Sequence, residues 1–205
     1  MSLIIKKNTT FKIPRTPQLI TTSRAFNSSG VQVGSTNTGD IPSNWLSSQT
    51  SVASVIFAND NSVTSIGASA FEFCINLTSI IIPNSVTSIG LGAFYGCYDL
   101  SSLTIGNSVT SIGNAAFGLS YGLTSITIPN SVNSIGNNAF KESSVLSTVL
   151  CYVPQSAFVG TNIFLLTAET LTIRVPTSGP VSDTWTAGTG LTFKGNTNVT
   201  VIKNL

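Results

Sequence analysis

Between Ser62 and Val153 the apolar positions return in the same order four times. The copies read SVTSIGASAFEFCINLTSIIIPN, SVTSIGLGAFYGCYDLSSLTIGN, SVTSIGNAAFGLSYGLTSITIPN and SVNSIGNNAFKESSVLSTVLCYV. They begin at Ser62, Ser85, Ser108 and Ser131, a spacing of 23 residues. A fixed period of about 20–50 residues marks a stacked-repeat architecture. In the first copy the apolar positions are Val63, Ile66, Ala70, Phe71, Cys74, Leu77, Ile80 and Ile82. The alternation at Ile80 and Ile82 predicts a strand with both side chains on one face. Val63 to Ile66 predicts a second, shorter extended piece. Between them, the compact spacing of Ala70-Phe71 and Cys74 predicts one helical or 3-10 turn. One such coil cannot bury this many apolar groups alone, whereas a stack of coils can.

Stacking turns each repeat position into a ladder. Phe71, Phe94, Phe117 and Phe140 form an aromatic ladder; Ile82, Ile105, Ile128 and Cys151 form an aliphatic one. Burial of each Phe is worth about 1.5–3 kcal/mol. Gly67, Gly90, Gly113 and Gly136 follow the Ile of each copy, as expected where φ is positive or where a Cβ has no room. Asn61, Asn84, Asn107 and Asn130 precede each Ser and suit a corner, since the amide can bond local backbone and the neighbouring coil. Cys74 and Cys97 share one position, read as Ser120 and Ser144 in the third and fourth copies. The strand spacing of about 4.8 Å puts the two thiols within disulfide range. Parallel neighbours point the same way, however, so buried free thiols are the favoured reading. The cysteines therefore do not identify a redox compartment.

The unit resembles the BspA-like leucine-rich repeat in its SVTSIG, Ala70-Phe71, Cys74 and LTSIIIPN elements. It departs from the commoner L-x-x-L-x-L-x-x-N pattern, because Asn84 comes one residue early after Ile82. The resemblance implies a leucine-rich-repeat solenoid, mostly β with short helical or 3-10 turns, in right-handed parallel coils of 23 residues, about five to six in all. It also implies adhesion or recognition, without fixing a ligand.

Around these repeats the chain divides into an N-terminal arm and cap (1–50), the repeats (51–153), and a degenerate last coil with a C-terminal β cap (154–205). SVASVIFANDN, Ser51 to Asn61, reads as a degenerate first coil whose open sheet edge the preceding arm would cover. After Val153, Ala157-Phe158 stands as the Ala-Phe pair, and Ile173, Val175 and Pro176 stand for Ile80, Ile82 and Pro83. Cys151 to Val175 is one residue longer than the period. Lys6, Lys7, Lys12, Arg15 and Arg24 hold five of the nine basic residues, and Asp40 is the one acid before residue 60. Lys6, Lys7, Phe11, Lys12 and Arg15 thus make a candidate docking arm for other virion or surface proteins. The opening MSLIIKKNTTFKIPR resembles the start of small structural proteins in tailed-phage genomes.

Composition narrows the function. Charged residues are 8% of the chain, mean hydropathy is +0.35 and the net charge is +2. No apolar run reaches 18 residues, so no membrane span is expected, and the weak charge argues against nucleic acid. The N-terminus lacks the apolar segment of a secretory signal. There is no His, which removes His-dependent triads and the commonest metal ligand. Gly118-Leu119-Ser120-Tyr121-Gly122 matches a nucleophile-elbow pattern, but Ser120 falls on the core-facing Cys position. The acids are scattered, and Glu72 and Asp99 share no repeat position, so no calcium ladder arises. No phosphate-loop or dinucleotide motif occurs. No enzyme activity, metal or cofactor is expected.

With Ile80 and Ile82 inward, their neighbours point outward. Ser79, Ile81, Ser102, Thr104, Ser125, Thr127, Thr148 and Leu150 then form one flat, nearly uncharged face. It is either plain solvated sheet or a contact surface for protein or glycan. The expectation is a non-enzymatic structural or recognition protein of a virus particle, such as a decoration, tail or adhesion component, possible as a homo-oligomer. The alternative is a secreted or cell-surface BspA-type bacterial adhesin that binds a host surface protein or glycan.

Overall fold

The computed structural model describes residues 23–36, 40–58, 61–178, 185 and 188–204. Its strands in chain order are β1 (Ser23–Phe26), β2 (Gln32–Thr36), β3 (Ser54–Ile56), β4 (Ser65–Ile66), β5 (Ser79–Ile81), β6 (Ser88–Ile89), β7 (Ser102–Thr104), β8 (Ser111–Ile112), β9 (Ser125–Ile128), β10 (Ser134–Ile135), β11 (Thr148–Cys151), β12 (Leu171–Val175), β13 (Gly188–Phe193) and β14 (Asn196–Lys203). Each exact repeat contributes one short and one longer strand, so the chain is a leucine-rich-repeat β-solenoid of about five turns. The short strands β4, β6, β8 and β10 stack in parallel, Ile66 beside Ile89, Ile112 and Ile135 in turn. Of the longer strands, β5 pairs with β7, and β9, β11, β12 and β14 form one parallel run.

The segment between the two strands of a coil is a pair of successive β-turns. In the second copy the Ala93 N–H donates to the Gly90 carbonyl (3.3 Å), Tyr95 to Gly92 (3.0 Å) and Cys97 to Phe94 (3.3 Å). The third residues of the outer two turns, Gly92 and Gly96, have φ of +58° and +72°. Ser69 and Phe73, Ala115 and Leu119, and Asn138 and Glu142 repeat this left-handed pair in the other copies. A left-handed residue at every fourth position stops a helix from propagating. The 3-10 geometry expected here occurs instead in the fifth coil, at Gln155–Ala157.

The repeated glycines answer to the second of their two expected reasons. Gly67, Gly90, Gly113 and Gly136 do not have positive φ. A Cβ at Gly90 would lie 2.7 Å from the Ala68 nitrogen, and one at Gly113 would lie 2.6 Å from the Gly90 carbonyl carbon. Coil thus touches coil backbone to backbone at this corner. The Gly90 N–H reaches the Ile66 carbonyl at 2.8 Å and the Gly113 N–H reaches that of Ile89 at 2.9 Å.

The core is the expected set of ladders. Phe71, Phe94, Phe117 and Phe140 are fully buried and stacked, with centroids 4.9, 5.2 and 5.5 Å apart and planes within 6° of parallel. Phe164 extends the stack at 5.8 Å. This corrects the reading of Ala157-Phe158 as the fifth Ala-Phe pair. The Phe140 N–H donates to Ile163 as Phe117 does to Ala139, so Ile163-Phe164 occupies that position. The extra residue of this coil is the exposed Val159, because the Gly160 N–H still donates to Ile135 as that of Gly136 does to Ile112. Ile173 pairs in register with Val149, as expected.

The Cys position also needs one correction. Cys74 Sγ donates to the Leu46 carbonyl and Cys97 Sγ to that of Phe71, both at 3.2 Å. In the fourth copy the buried Ser143 makes the same bond to Phe117 at 3.2 Å, while Ser144 is exposed. In the third copy Ser120 is buried and its hydroxyl has no partner.

Both ends of the stack are closed by a hairpin. Before the first exact repeat, Ile41 bridges Ile66 in parallel, and the Leu46 N–H donates to Ala70 as Phe71 does to Ala93. Coil-type bonding therefore begins at Ile41. The next strand of that coil, β3, is covered by antiparallel β1, and β1 by β2. At the far end β14 continues the parallel sheet and β13 closes it antiparallel. Trp185 is buried against Phe158 and Phe193, and its Nε1 donates to the Val153 carbonyl at 3.0 Å.

Two substitutions check this account by urea unfolding. Phe117→Ala removes the middle of the stack and should lower stability by about 3–5 kcal/mol. Ser120→Cys should raise it by about 1 kcal/mol, because it replaces a buried hydroxyl without a partner by the thiol that bonds the neighbouring coil in the first two copies.

Candidate functional site: the outer strand face

The outward positions of the longer strands line up across the coils. Ser79 lies in register with Ser102, and Ile81 with Thr104. Ser125 is in register with Thr148, and Thr127 with Leu150. Between them the inward Ile80, Ile126 and Val149 are buried, and Leu103 is half-buried. Ser79, Ile81, Ser102, Thr104, Ser125 and Thr127 are exposed, Ile81 most of all at 70%. Thr148 and Leu150 are half-buried beside Thr172 and Arg174, their in-register neighbours on β12. The rows continue through β14, where Thr200 follows Thr172 and Ile202 follows Arg174. None of the eight residues is charged. The Arg174 side chain at the edge is held by its Nε, which donates to Asn204 Oδ1 at 3.0 Å.

Hydroxyls elsewhere on the coils are used in stacking. Thr87 Oγ1 donates to the Thr64 carbonyl (3.1 Å) and Thr110 Oγ1 to that of Thr87 (3.0 Å). Ser101 Oγ and Ser147 Oγ likewise donate to Thr78 and Thr124. These hydroxyls tie coil to coil. The residues of the outer face take no part in such bonds among those resolved, and there the chain spends its hydroxyls on solvent or a partner. A groove of about 310 Å³ adjoins the face at Thr127, between Asn107, Pro129 and Tyr152.

One carboxylate works as a joint. Asp40 Oδ1 accepts the Thr64 N–H (2.7 Å), the Thr64 Oγ1–H (2.8 Å) and the Ser65 N–H (2.6 Å). Partial burial pushes its pKa up, and these hydrogen bonds more than offset that, so the carboxyl titrates below its ordinary 3.8. At the other corners neutral amides take the role: Asn84 Oδ1 accepts the Asn107 N–H and Asn114 Oδ1 that of Asn137, both at 2.8 Å.

Sequence reasoning passed over one surface feature. Phe73, Tyr95, Tyr98 and Tyr121 form an aromatic cluster on the turn side, with Tyr98 and Tyr121 stacked at 5.2 Å. Tyr95 appears in a single copy, but Tyr98 and Tyr121 stand one period apart, and that spacing is the signal that would have found them. The docking-arm residues Lys6, Lys7, Phe11, Lys12 and Arg15 lie outside the described residues. Trp185, considered above as part of the cap, is a buried plug and offers no surface. Among the described residues no group of acids and cysteines is placed to hold a metal ion, and no helix is long and apolar enough to cross a membrane.

The profile of the BspA type leucine rich repeat region matches residues 39–168, in six copies. The chain belongs to the BspA-type leucine-rich repeat family. Its solenoid is similar to the crystal structure of the T. pallidum leucine-rich repeat protein, at 28% identity and a TM-score of 0.50, covering 57% of this chain and 54% of that one. A leucine-rich cell surface protein from Faecalibacterium prausnitzii A2-165 is 25% identical, with a TM-score of 0.45 and coverage of 68% and 30%. A leucine-rich-repeat protein from Bacteroides ovatus is 27% identical, with a TM-score of 0.40 and coverage of 58% and 40%. The chain thus spans about half or less of the solved structures it matches. Comparison with curated protein sequences finds no match. BspA-type repeats are a repeat family of typically non-enzymatic binding proteins.

Two chemical tests follow from the BspA-type core. Cys74, Cys97 and Cys151 are free and buried, and burial pushes the Cys74 and Cys151 thiols up to about 12 and the Cys97 thiol higher than its ordinary value too. The folded protein should release no colour with Ellman's reagent at pH 8, and the unfolded protein should titrate all three thiols. For Asp40 the folded pKa is the lower one, so its contribution is complete above pH 3.8 and is lost as pH falls below that value. The thermal midpoint of Asp40→Asn should therefore fall less than that of the wild type when the protein is acidified through this range.

Proposed function

We propose that the chain is a non-enzymatic recognition module of a secreted or cell-surface bacterial leucine-rich-repeat protein. It contacts a protein or glycan through the outward residues of β5, β7, β9 and β11. The observation that carries this reading is the face itself: Ser79, Ile81, Ser102, Thr104, Ser125 and Thr127 stand exposed, in register and without charge, on a core locked in place. A rigid array offers hydroxyls and small apolar groups with little ordering to be lost on binding. Membership of the BspA-type family supports recognition over catalysis. The similarity to a T. pallidum leucine-rich repeat protein supports a bacterial surface role over a virus particle. The virion reading rests on the first fifteen residues alone.

The test places Lys on the face. Ser102, Thr104 and Ser125 are each replaced by Lys, and the fold is checked by circular dichroism and thermal midpoint. Because the three sites are exposed, the midpoint should stay close to that of the wild type. Beads coated with the triple variant should adhere about tenfold less well to epithelial or bacterial cells than wild-type beads, since three buried ammonium groups oppose the contact. Undiminished adherence of the folded variant would move the contact off this face.

A further inference from the structure

We propose that Tyr121 is the stacking platform of a second site, for a neutral hexopyranose glycan, at the end of the tyrosine stack and beside Lys141, Glu142 and Ser144. This site lies on the turn between the paired β-turns and the outer strand, and its argument is independent of the strand face. Tyr98 and Tyr121 occupy the same repeat position and stack at 5.2 Å, with an angle of 17° between planes. The next residue in this column, one period on, is Ser144, which is exposed. The aromatic ladder therefore stops at Tyr121. One ring face rests on Tyr98, the other looks out over a much smaller side chain, and the residue is 43% exposed.

Polar groups of both kinds gather beside that face. Lys141 Nζ and Glu142 Oε1 pair at 3.1 Å, each about a third exposed. With Tyr95, Ala115, Leu119 and Asn138 they line a depression of about 240 Å³. That is below the roughly 300–1,000 Å³ of sites for drug-sized ligands, and it suits a single sugar residue. The Tyr95 ring borders this depression and lies 3.0 Å from where a Cβ would stand at Gly118, so the glycine lets it lie flat on the coil. Burial first, then the neighbouring Tyr98, Glu142 and Tyr95, hold the Tyr121 phenol above its ordinary pKa, which keeps it neutral.

The chemistry selects the ligand class. A pyranose with equatorial hydroxyls presents axial C–H groups to the electron-rich face of an aromatic ring. Its hydroxyls lie around the rim, where they can donate to Glu142 and accept from Lys141 and the Asn138 amide. The Lys141–Glu142 pair carries no net charge, so a uronic or sialic acid gains nothing and meets the Glu142 carboxylate. A proline-rich peptide can also stack on tyrosine, but its proline residues bring carbonyl acceptors alone and leave Glu142 without a donor.

The experiment is calorimetric titration of the whole chain with cellotetraose and with tetra-N-acetylchitotetraose, and with a proline-rich decapeptide for comparison. At least one oligosaccharide should bind with a Kd of about 1 mM or tighter. Tyr121→Ala should weaken it by about tenfold or more, while Tyr121→Phe, which keeps the ring, should hold it within about threefold. Ser144→Tyr should abolish binding with the fold intact, because it extends the ladder over the free face from an exposed position. The strand-face triple variant should bind the oligosaccharide as the wild type does, so failure of either site is read separately. The proposal is overturned if neither oligosaccharide binds, if Tyr121→Ala and Ser144→Tyr bind as tightly as the wild type, or if the peptide binds and the sugars do not.

Discussion

The backbone contact between neighbouring coils at the repeated glycine governs the rest of the molecule. A Cβ at Gly67, Gly90, Gly113 or Gly136 would stand 2.4–2.7 Å from an atom of the neighbouring coil. Nothing larger than hydrogen fits, so each coil must settle directly on the last. That fixes the separation near the strand spacing of about 4.8 Å and forces every residue into register with its counterpart 23 positions away. The phenylalanine stack follows from this, since rings at 4.9–5.8 Å pack face to face with little room for offset. The separation grows toward Phe164, in the coil that carries the extra Val159.

Close stacking also explains how a chain with 8% charged residues remains well hydrogen-bonded. Thr87, Thr110, Ser101 and Ser147 donate to carbonyls of the preceding coil, and Cys74, Cys97 and Ser143 do the same from inside the core. Hydroxyl and thiol groups are short enough to reach across one coil spacing, and being neutral they cost less to desolvate than charged groups. Asp40 is the exception that fits the rule. It stands at the start of the stack, where it can still reach solvent while three donors converge on its carboxylate.

Repetition made the middle of the chain legible from sequence. The position of Phe94 in the copy, counted alone, placed it in the core, and the alternation at Ile80 and Ile82 put Ile81 outside. Where repetition fades, residue types mislead. Ala157-Phe158 has the right letters, but backbone bonds give the place to Ile163-Phe164, because one inserted residue shifts everything after it. Similarly, the coil that begins at Ile41 shows little of the repeat's lettering; it is held by the same carbonyls, which sequence does not display. The Tyr98–Tyr121 pair was hidden for the opposite reason: it repeats, but across two copies only, and reading the ladders for core positions passed it by.

The two surfaces differ in a way that bears on what each can bind. On the outer strands the same small side chains recur at each level, Ser79, Ser102, Ser125 and Thr148 along one row. Such a row presents the same group several times at one spacing and suits an extended partner, with many weak contacts along the solenoid. The tyrosine stack instead has a beginning and an end. Its end, at Tyr121, is a place that occurs once, with one ion pair beside it. Periodicity cannot produce such a place; a break in periodicity can. Since the core positions carry the stacking, a substitution such as Ser for Tyr at position 144 costs the fold little, and the solenoid is free to set a discrete site on a repeating scaffold.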